Sequence, residues 1–315
     1  MAPNRLLTSR AIIGEIYNRL NSPAGSWVNR YTMKIASNQE TENYAWLGMV
    51  PTMREWIGGR QPKGFRENTF SVTNKDYEAT LEVLTKELRR DQSGQIMIRI
   101  GELSKRVLAF PAKLVSTLMI NAESAVCYDG QYFFDTDHAE GDSGAQSNKI
   151  SVDISALAVS SHGSTTMPSV AEMQQCILQG IQTILGLKDD QGEPMNEGAS
   201  SFEVMVPTAL WAIAVSAVKL PVIDGGDSNV VPSLQGISID VVVNPRLTWT
   251  DRFSIVRTDG DTKPFILQEE VPIAVDAIAE GSELEFKEKK HWYGVEWGGA
   301  VAYGFWQHAC MVIMY

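Results

Sequence analysis

Apolar residues recur at helical spacing near the start of the chain: Ile12, Ile13, Ile16, Tyr17 and Leu20 share one face, with Thr8 and Ser9 as candidate N-caps. Asn21-Ser22-Pro23-Ala24-Gly25 ends that helix, and the rest of the first 45 residues reads as a polar connector. A lone amphipathic helix of this length is marginal in water, so its apolar face needs a cover, a neighbouring subunit being one candidate. Thr69–Thr73 and Tyr77–Leu84 alternate like two strands, which predicts a long twisted hairpin over 46–90. Ile96, Ile100, Leu103, Val107, Leu114 and Leu118 mark a long helix over 95–122, with a kink or restart near Phe110 because Pro111 lies inside it.

After Ala122 the pattern breaks into turns from Tyr128 to Ser164. A second helical stripe follows through Val170, Met173, Ile177, Ile181 and Ile184. Phe202–Val206 is a short strand, and Pro207 opens a helix to Lys219. Ile237–Val243, Phe253–Arg257 and Phe265–Ile278 read as strands, and Glu283–Tyr315 as strands with glycine bends. The longest apolar runs, such as Ala209–Val218, fall short of the roughly 20 residues of a membrane span.

Composition adds bounds. The 315 residues suit one large domain or two smaller ones, with enough core to need no disulfide or metal staple. Cys127, Cys176 and Cys310 are too scattered for a disulfide framework and read as small buried hydrophobes of a non-exported protein. The net charge of −11 argues against a nucleic-acid coat held by its own surface. One stretch departs from it: Arg54, Arg60, Lys63 and Arg66, with Trp56 among them, make a basic, aromatic hairpin tip. That composition suits a protein–protein contact, against the plainer reading of a solvated loop.

Three patterns imitate active sites. Gly141-Asp142-Ser143-Gly144 surrounds a serine as in chymotrypsin-like proteases, but His138 in the same loop is the nearest upstream base, and a flexible turn is the better reading. Asp135-Thr136-Asp137-His138 could contribute to a metal site, yet short Asp-x-Asp segments more often bond their own backbone. The glycines form neither a phosphate loop nor a dinucleotide fingerprint. No catalytic residue, cofactor or metal is therefore assigned.

Three blocks carry a resemblance. Tyr44-Ala45-Trp46-Leu47-Gly48 runs on to Pro51, Arg54-Glu55-Trp56, Gly58 and Arg60. Tyr128-Asp129-Gly130 is followed by Phe133-Phe134-Asp135-Thr136-Asp137-His138. The last block is Tyr293-Gly294-Val295, Ala302-Tyr303-Gly304 and Trp306-Gln307. Together, in this order, they resemble the major head (capsid) protein of Mu-like bacteriophages and prophages, the T-protein family. Trp297 stands where that family is expected to have arginine, and Ala139 where it often has proline.

The resemblance implies an α+β chain with the major capsid protein fold of tailed phages and herpesviruses. Its parts would be an N-terminal arm with a helix (1–45), an extended hairpin loop (46–90), and a peripheral domain (91–167) with a spine helix over 95–122. An axial domain (168–270) and C-terminal strands (271–315) completing the sheets would follow. The function implied is self-assembly into an icosahedral head shell of hexamers and pentamers. The partners would be other copies, scaffold, portal and decoration proteins, and double-stranded DNA enclosed without specific binding. No membrane would be involved; the shell would belong to the virion and be assembled in the bacterial host cytoplasm. Arg54, Trp56, Arg60, Lys63 and Arg66 are the expected intersubunit contacts. A nanocompartment shell of the same fold, a tail or minor head protein, and a hydrolase using Ser143 or the Asp135–His138 cluster are the alternatives.

Overall fold

The computed structural model describes residues 8–20, 27–44, 47, 70–90, 94–223, 226 and 228–315. The first third of the chain holds α1 (Ser9–Leu20), α2 (Val28–Tyr31), β1 (Thr32–Ala36), β2 (Thr41–Asn43), β3 (Ser71–Thr73), β4 (Lys75–Leu84) and α3 (Thr85–Arg90). Next come α4 (Gln95–Leu108), α5 (Phe110–Asn121), β5 (His138–Ala139), β6 (Ala145–Gln146), β7 (Lys149–Val152), α6 (Val170–Gly186), β8 (Ser201–Val206) and α7 (Trp211–Lys219). The remainder is β9 (Ser238–Val243), β10 (Arg252–Arg257), β11 (Phe265–Ile278), α8 (Glu283–Glu288), β12 (Lys290–Tyr303) and β13 (Ala309–Met314).

Two larger sheets result. The first has the order β1-β11-β12-β4, with β1 parallel to β11 and the other pairs antiparallel. Its buried face carries Tyr77, Ala79, Leu81 and Val83 opposite Trp297, Val295, Tyr293 and His291, the period-two pattern read from the sequence. The second sheet has the order β7-β13-β10-β8-β9 and is packed by α6 and α7. Helix α6 starts at a reciprocal cap, the Ser169 hydroxyl accepting from Glu172 N and the Glu172 carboxylate from Ser169 N.

The long helix breaks where proline requires it. Helix α4 ends at Leu108, Ala109 is the shared cap, and Pro111 occupies the first turn of α5, where its missing N–H costs nothing. Ser116 on α5 donates to Ala112 O and accepts from Asn244 at 2.9 Å, tying the helix to the end of β9.

Several expectations change. The polar connector before residue 45 contains two strands, β1 and β2. Strand β3 pairs with β2 in register Thr41–Thr73, not with β4, which joins β12; the rest of the expected hairpin, 48–69, lies outside the described residues. The apolar face of α1 is covered by its own chain: Ile12 and Ile16 are fully buried with Val83, Ile96, Ile100, Val275 and Tyr293. Glu283–Glu288, read as strand, is a short helix capped by Ser282.

Candidate functional site: a buried junction between the two sheets

The chain passes between the sheets twice near its C-terminus, from β10 to β11 and from β12 to β13. A 3-10 turn, Trp306–His308, makes the second passage, and all three of its residues are buried. Backbone that leaves one ladder for another needs side-chain partners in place of strand neighbours. The central block of the sequence supplies them.

His138 stacks face to face on Trp306, with ring centroids 3.9 Å apart and planes 7° apart. Tyr128 donates its hydroxyl to Gln307 Oε1 at 3.0 Å, and Gln307 Nε2 reaches Glu140 at 3.4 Å. Phe133 stacks on Tyr303 at 4.8 Å and on Phe265 at 5.2 Å. Asn148 donates to Phe133 O at 2.7 Å and Trp306 O at 3.2 Å. From α6's side, Asn196 donates to Ile184 O and Gln307 O, both at 2.8 Å. Thus two motifs about 170 residues apart in sequence meet as one buried polar and aromatic node.

Ionisable groups in this node lie in a water-poor setting. Burial pushes the Glu140 carboxyl up to about 7, and the nearby Asp129 charge adds to the rise. Burial would likewise raise Asp129, but hydrogen bonds from His138 and Cys127 outweigh it and hold that carboxyl below its ordinary value. His308 is pushed down to about 3, chiefly by burial, with the Arg257 and Lys263 charges adding. It therefore stays neutral, with Nδ1 2.9 Å from Asn196 Oδ1 and Nε2 2.8 Å from Thr262 Oγ1. Asn196 Nδ2 is spent on two carbonyls, so its oxygen faces His308 and Nδ1 is the donor.

The sequence-level candidates fare differently. Asp135 closes a turn, accepting from Thr136 N at 2.8 Å and Tyr132 N at 3.3 Å, and Asp137 is exposed. The residues gathered around His138 are instead Cys127 and Asp129, whose donor atoms and that of His138 lie within 4.8 Å of one another. They bond each other: His138 Nδ1 to Asp129 Oδ2 at 2.6 Å and Cys127 Sγ to Asp129 Oδ1 at 2.8 Å. A tetrahedral metal would hold its donors about 3.3–3.8 Å apart, so this spacing is that of hydrogen bonds. Ser143 accepts from Glu140 N and donates to Gly144 O, with its histidine neighbour turned to Asp129. Gly141 makes that turn possible: at φ +52° a Cβ there would sit 2.2 Å from Asp190 O. All three cysteines are free and buried.

Trp297 has a packing role. It is buried, stacks on Tyr77 at 5.6 Å, meets Phe110 edge-on at 6.1 Å and donates Nε1 to Glu269. Sequence reading missed Asn148, Asn196 and Glu140, because isolated amides and acids in turns carry no periodic signal. It also missed the clamp between Arg30 and Glu203, which pair through two hydrogen bonds. A glutamate inside the apolar strand Ser201–Val206 was the available sign.

Arg54, Trp56, Arg60, Lys63 and Arg66 lie outside the described residues. What is described is the root of their segment: β2 pairs with β3, Tyr44 N donates to Phe70 O at 2.8 Å, and the Tyr44 hydroxyl meets Gln268 at 2.5 Å.

A unit of two consecutive helices and a four-stranded sheet stands beside a five-stranded sheet with its own helices, an α+β architecture. In solved structures the chain is similar to one in the procapsid of bacteriophage JBD30, with TM-score 0.57 and 21% identity over 97% of this chain and 73% of that one. That likeness shows the fold. The family described as Mu-like prophage major head subunit gpT matches residues 10–161 and 242–313, most of the chain, and the protein belongs to that family. Among curated relatives, the major capsid protein of Escherichia phage Mu is 30% identical over 115 residues, 36% of this chain and 38% of that protein. The Mu-like prophage FluMu major head subunit of Haemophilus influenzae is 34% identical over 107 residues, 34% of this chain and 35% of its own. Each alignment thus spans little more than a third of the relative's length.

Proposed function

We propose that this chain is a major head subunit whose copies, as hexamers and pentamers, close into an icosahedral shell around double-stranded DNA. The observation that carries the reading is membership of a head-subunit family together with a capsid fold over nearly the whole chain. The chain acts as a structural protein, not an enzyme, in the virion, after assembly in the host cytoplasm with scaffold, portal and decoration proteins. On this reading the arm is 1–45, the extended loop 46–90, the peripheral domain 91–167, the axial domain 168–270, and 271–315 returns to complete the sheets. A surface carrying −11 would leave packaged DNA mobile by repelling it.

Rings arise from heterologous contacts, in which different faces of identical subunits meet. The extended loop suits one such face, because its root is held by β2 and β3 while Arg54, Trp56, Arg60, Lys63 and Arg66 lie in the segment between them. Electron microscopy of the purified chain tests the function: closed shells or hexameric rings are expected, and discrete monomers under all assembly conditions refute it. Trp56→Ala and Arg60→Glu test the loop, since normal and equally stable heads from either variant would remove its contact role.

A further inference from the structure

The outer face of the first sheet and its distal end carry opposite charges that form no ion pairs among the described residues. On the face, Glu78 and Glu296 are direct cross-strand partners, with Asp76 two residues along β4 and Asp276 on β11. Like charges directly opposite each other destabilise an isolated sheet. All four carboxylates are exposed, and none makes an ion pair among the described residues. The Glu78 end of this face borders a hollow of about 270 Å³ lined by Asp76, Glu78, Val271, Glu296 and Gly298, with Tyr77 and Trp297 also contributing.

At the far end of the same strands, Lys86, Arg89, Arg90 and Lys289 line a hollow of about 500 Å³. They too are exposed and make no ion pair among the described residues; of the acids beside them, Glu288 is paired with Lys290 and Glu87 is exposed on α3. Lys289 lies over the ring of Phe286, 80% exposed, so an apolar anchor stands next to the cations. Asp76 and the start of α3 are separated by the length of β4, about 25–30 Å at strand rise. That is several Debye lengths at physiological salt, so the two patches cannot screen each other within one subunit.

We propose that these patches are the two halves of one heterologous contact: the cationic hollow of one copy receives the acidic sheet face of the next copy. The inference rests on the assembly reading above and adds to it a second contact, separate from the extended loop. The occupant is a second copy because this chain itself carries an exposed face of opposite sign whose carboxylates make no ion pair among the described residues. Charge complementarity of this kind sets register and speeds encounter.

The test is a charge swap on the full chain. R89E/R90E and E78K/E296K should each slow shell formation at least about tenfold, measured by light scattering and electron microscopy. Combining all four substitutions should restore the rate to within about threefold of wild type. Raising salt should weaken wild-type assembly in the same way. Circular dichroism melts check that each exposed variant stays folded. The proposal is overturned if the paired variants assemble like wild type, or if the four-fold swap gives no rescue. It is also overturned if R89E/R90E loses only DNA retention in normal shells, which would make the hollow a phosphate site. Wild-type chain that never assembles refutes the function itself, and this contact with it.

Discussion

Glu140 lies against Gln307 in the junction with its carboxyl held at about 7, so Glu140→Gln should stabilise the subunit in a pH-dependent way. In the unfolded chain the same carboxyl titrates near 4.5. Below that value it is protonated in both states and burial has no ionic cost. Between 4.5 and about 7 the folded state holds more protons than the unfolded one, so stability falls as pH rises. Each tenfold difference in proton affinity is about 1.4 kcal/mol, so the full penalty above pH 7 is about 3 kcal/mol. Glutamine is nearly isosteric, is never charged, and keeps an acceptor for the Gln307 amide. Urea unfolding of the unassembled subunit, followed by tryptophan fluorescence, should show E140Q more stable than wild type by about 1 kcal/mol or less at about pH 5. At about pH 8.5 the gain should approach about 3 kcal/mol. An equal difference at both values would refute the reasoning, because it would mean that the carboxyl ionises in the folded state without penalty.

Three further outcomes follow from the packing. His308 has the opposite sign: its folded value of about 3 lies below the unfolded 6.5, so stability is complete above 6.5 and lost as pH falls toward 3. By about pH 4.5 the loss should be about 2.5–3 kcal/mol, and His308→Gln should flatten that slope in the same urea series. Phe133→Ala removes a ring stacked on both Tyr303 and Phe265, and should cost about 3–5 kcal/mol by thermal or chemical melting. Ile16→Ala should cost about 2–4 kcal/mol and release α1, which hydrogen exchange would report as lost protection over 9–20 with the second sheet still protected.

Much of the fold was legible because it rests on local periodicity. Strand β11 spans the same residues as its apolar alternation, Phe265–Ile278, and α6 follows its stripe from Val170. Pro111 marked the break between α4 and α5 through its covalent geometry alone. Where the reading missed, the local signal was weak or shared. Ser71–Thr73 alternates whichever strand it pairs with, so its partner, β2, could not be chosen from pattern. Ser282 and Glu285 do form a helix start, but six residues between two long strands were absorbed into the strand reading.

The candidate site divides along the same line. Residue types near Tyr128–His138 and Trp306–Gln307 could be named from sequence as motifs, and the −11 charge and basic segment 54–66 could be read as partner preferences. Their physical roles could not. Whether His138 faces Ser143, a metal or Trp306 depends on which rings and carbonyls the C-terminal turn brings within 4 Å, and that turn lies about 170 residues away. The shifted Glu140 and His308 likewise owe their values to burial, a property of the assembled core and of no single residue. Local spacing determined the helices, most strands and the family motifs. Only the tertiary structure, through desolvation and long-range hydrogen bonding, turned those motifs into one buried junction and set an acidic face of the first sheet against a basic patch at the strands' far end.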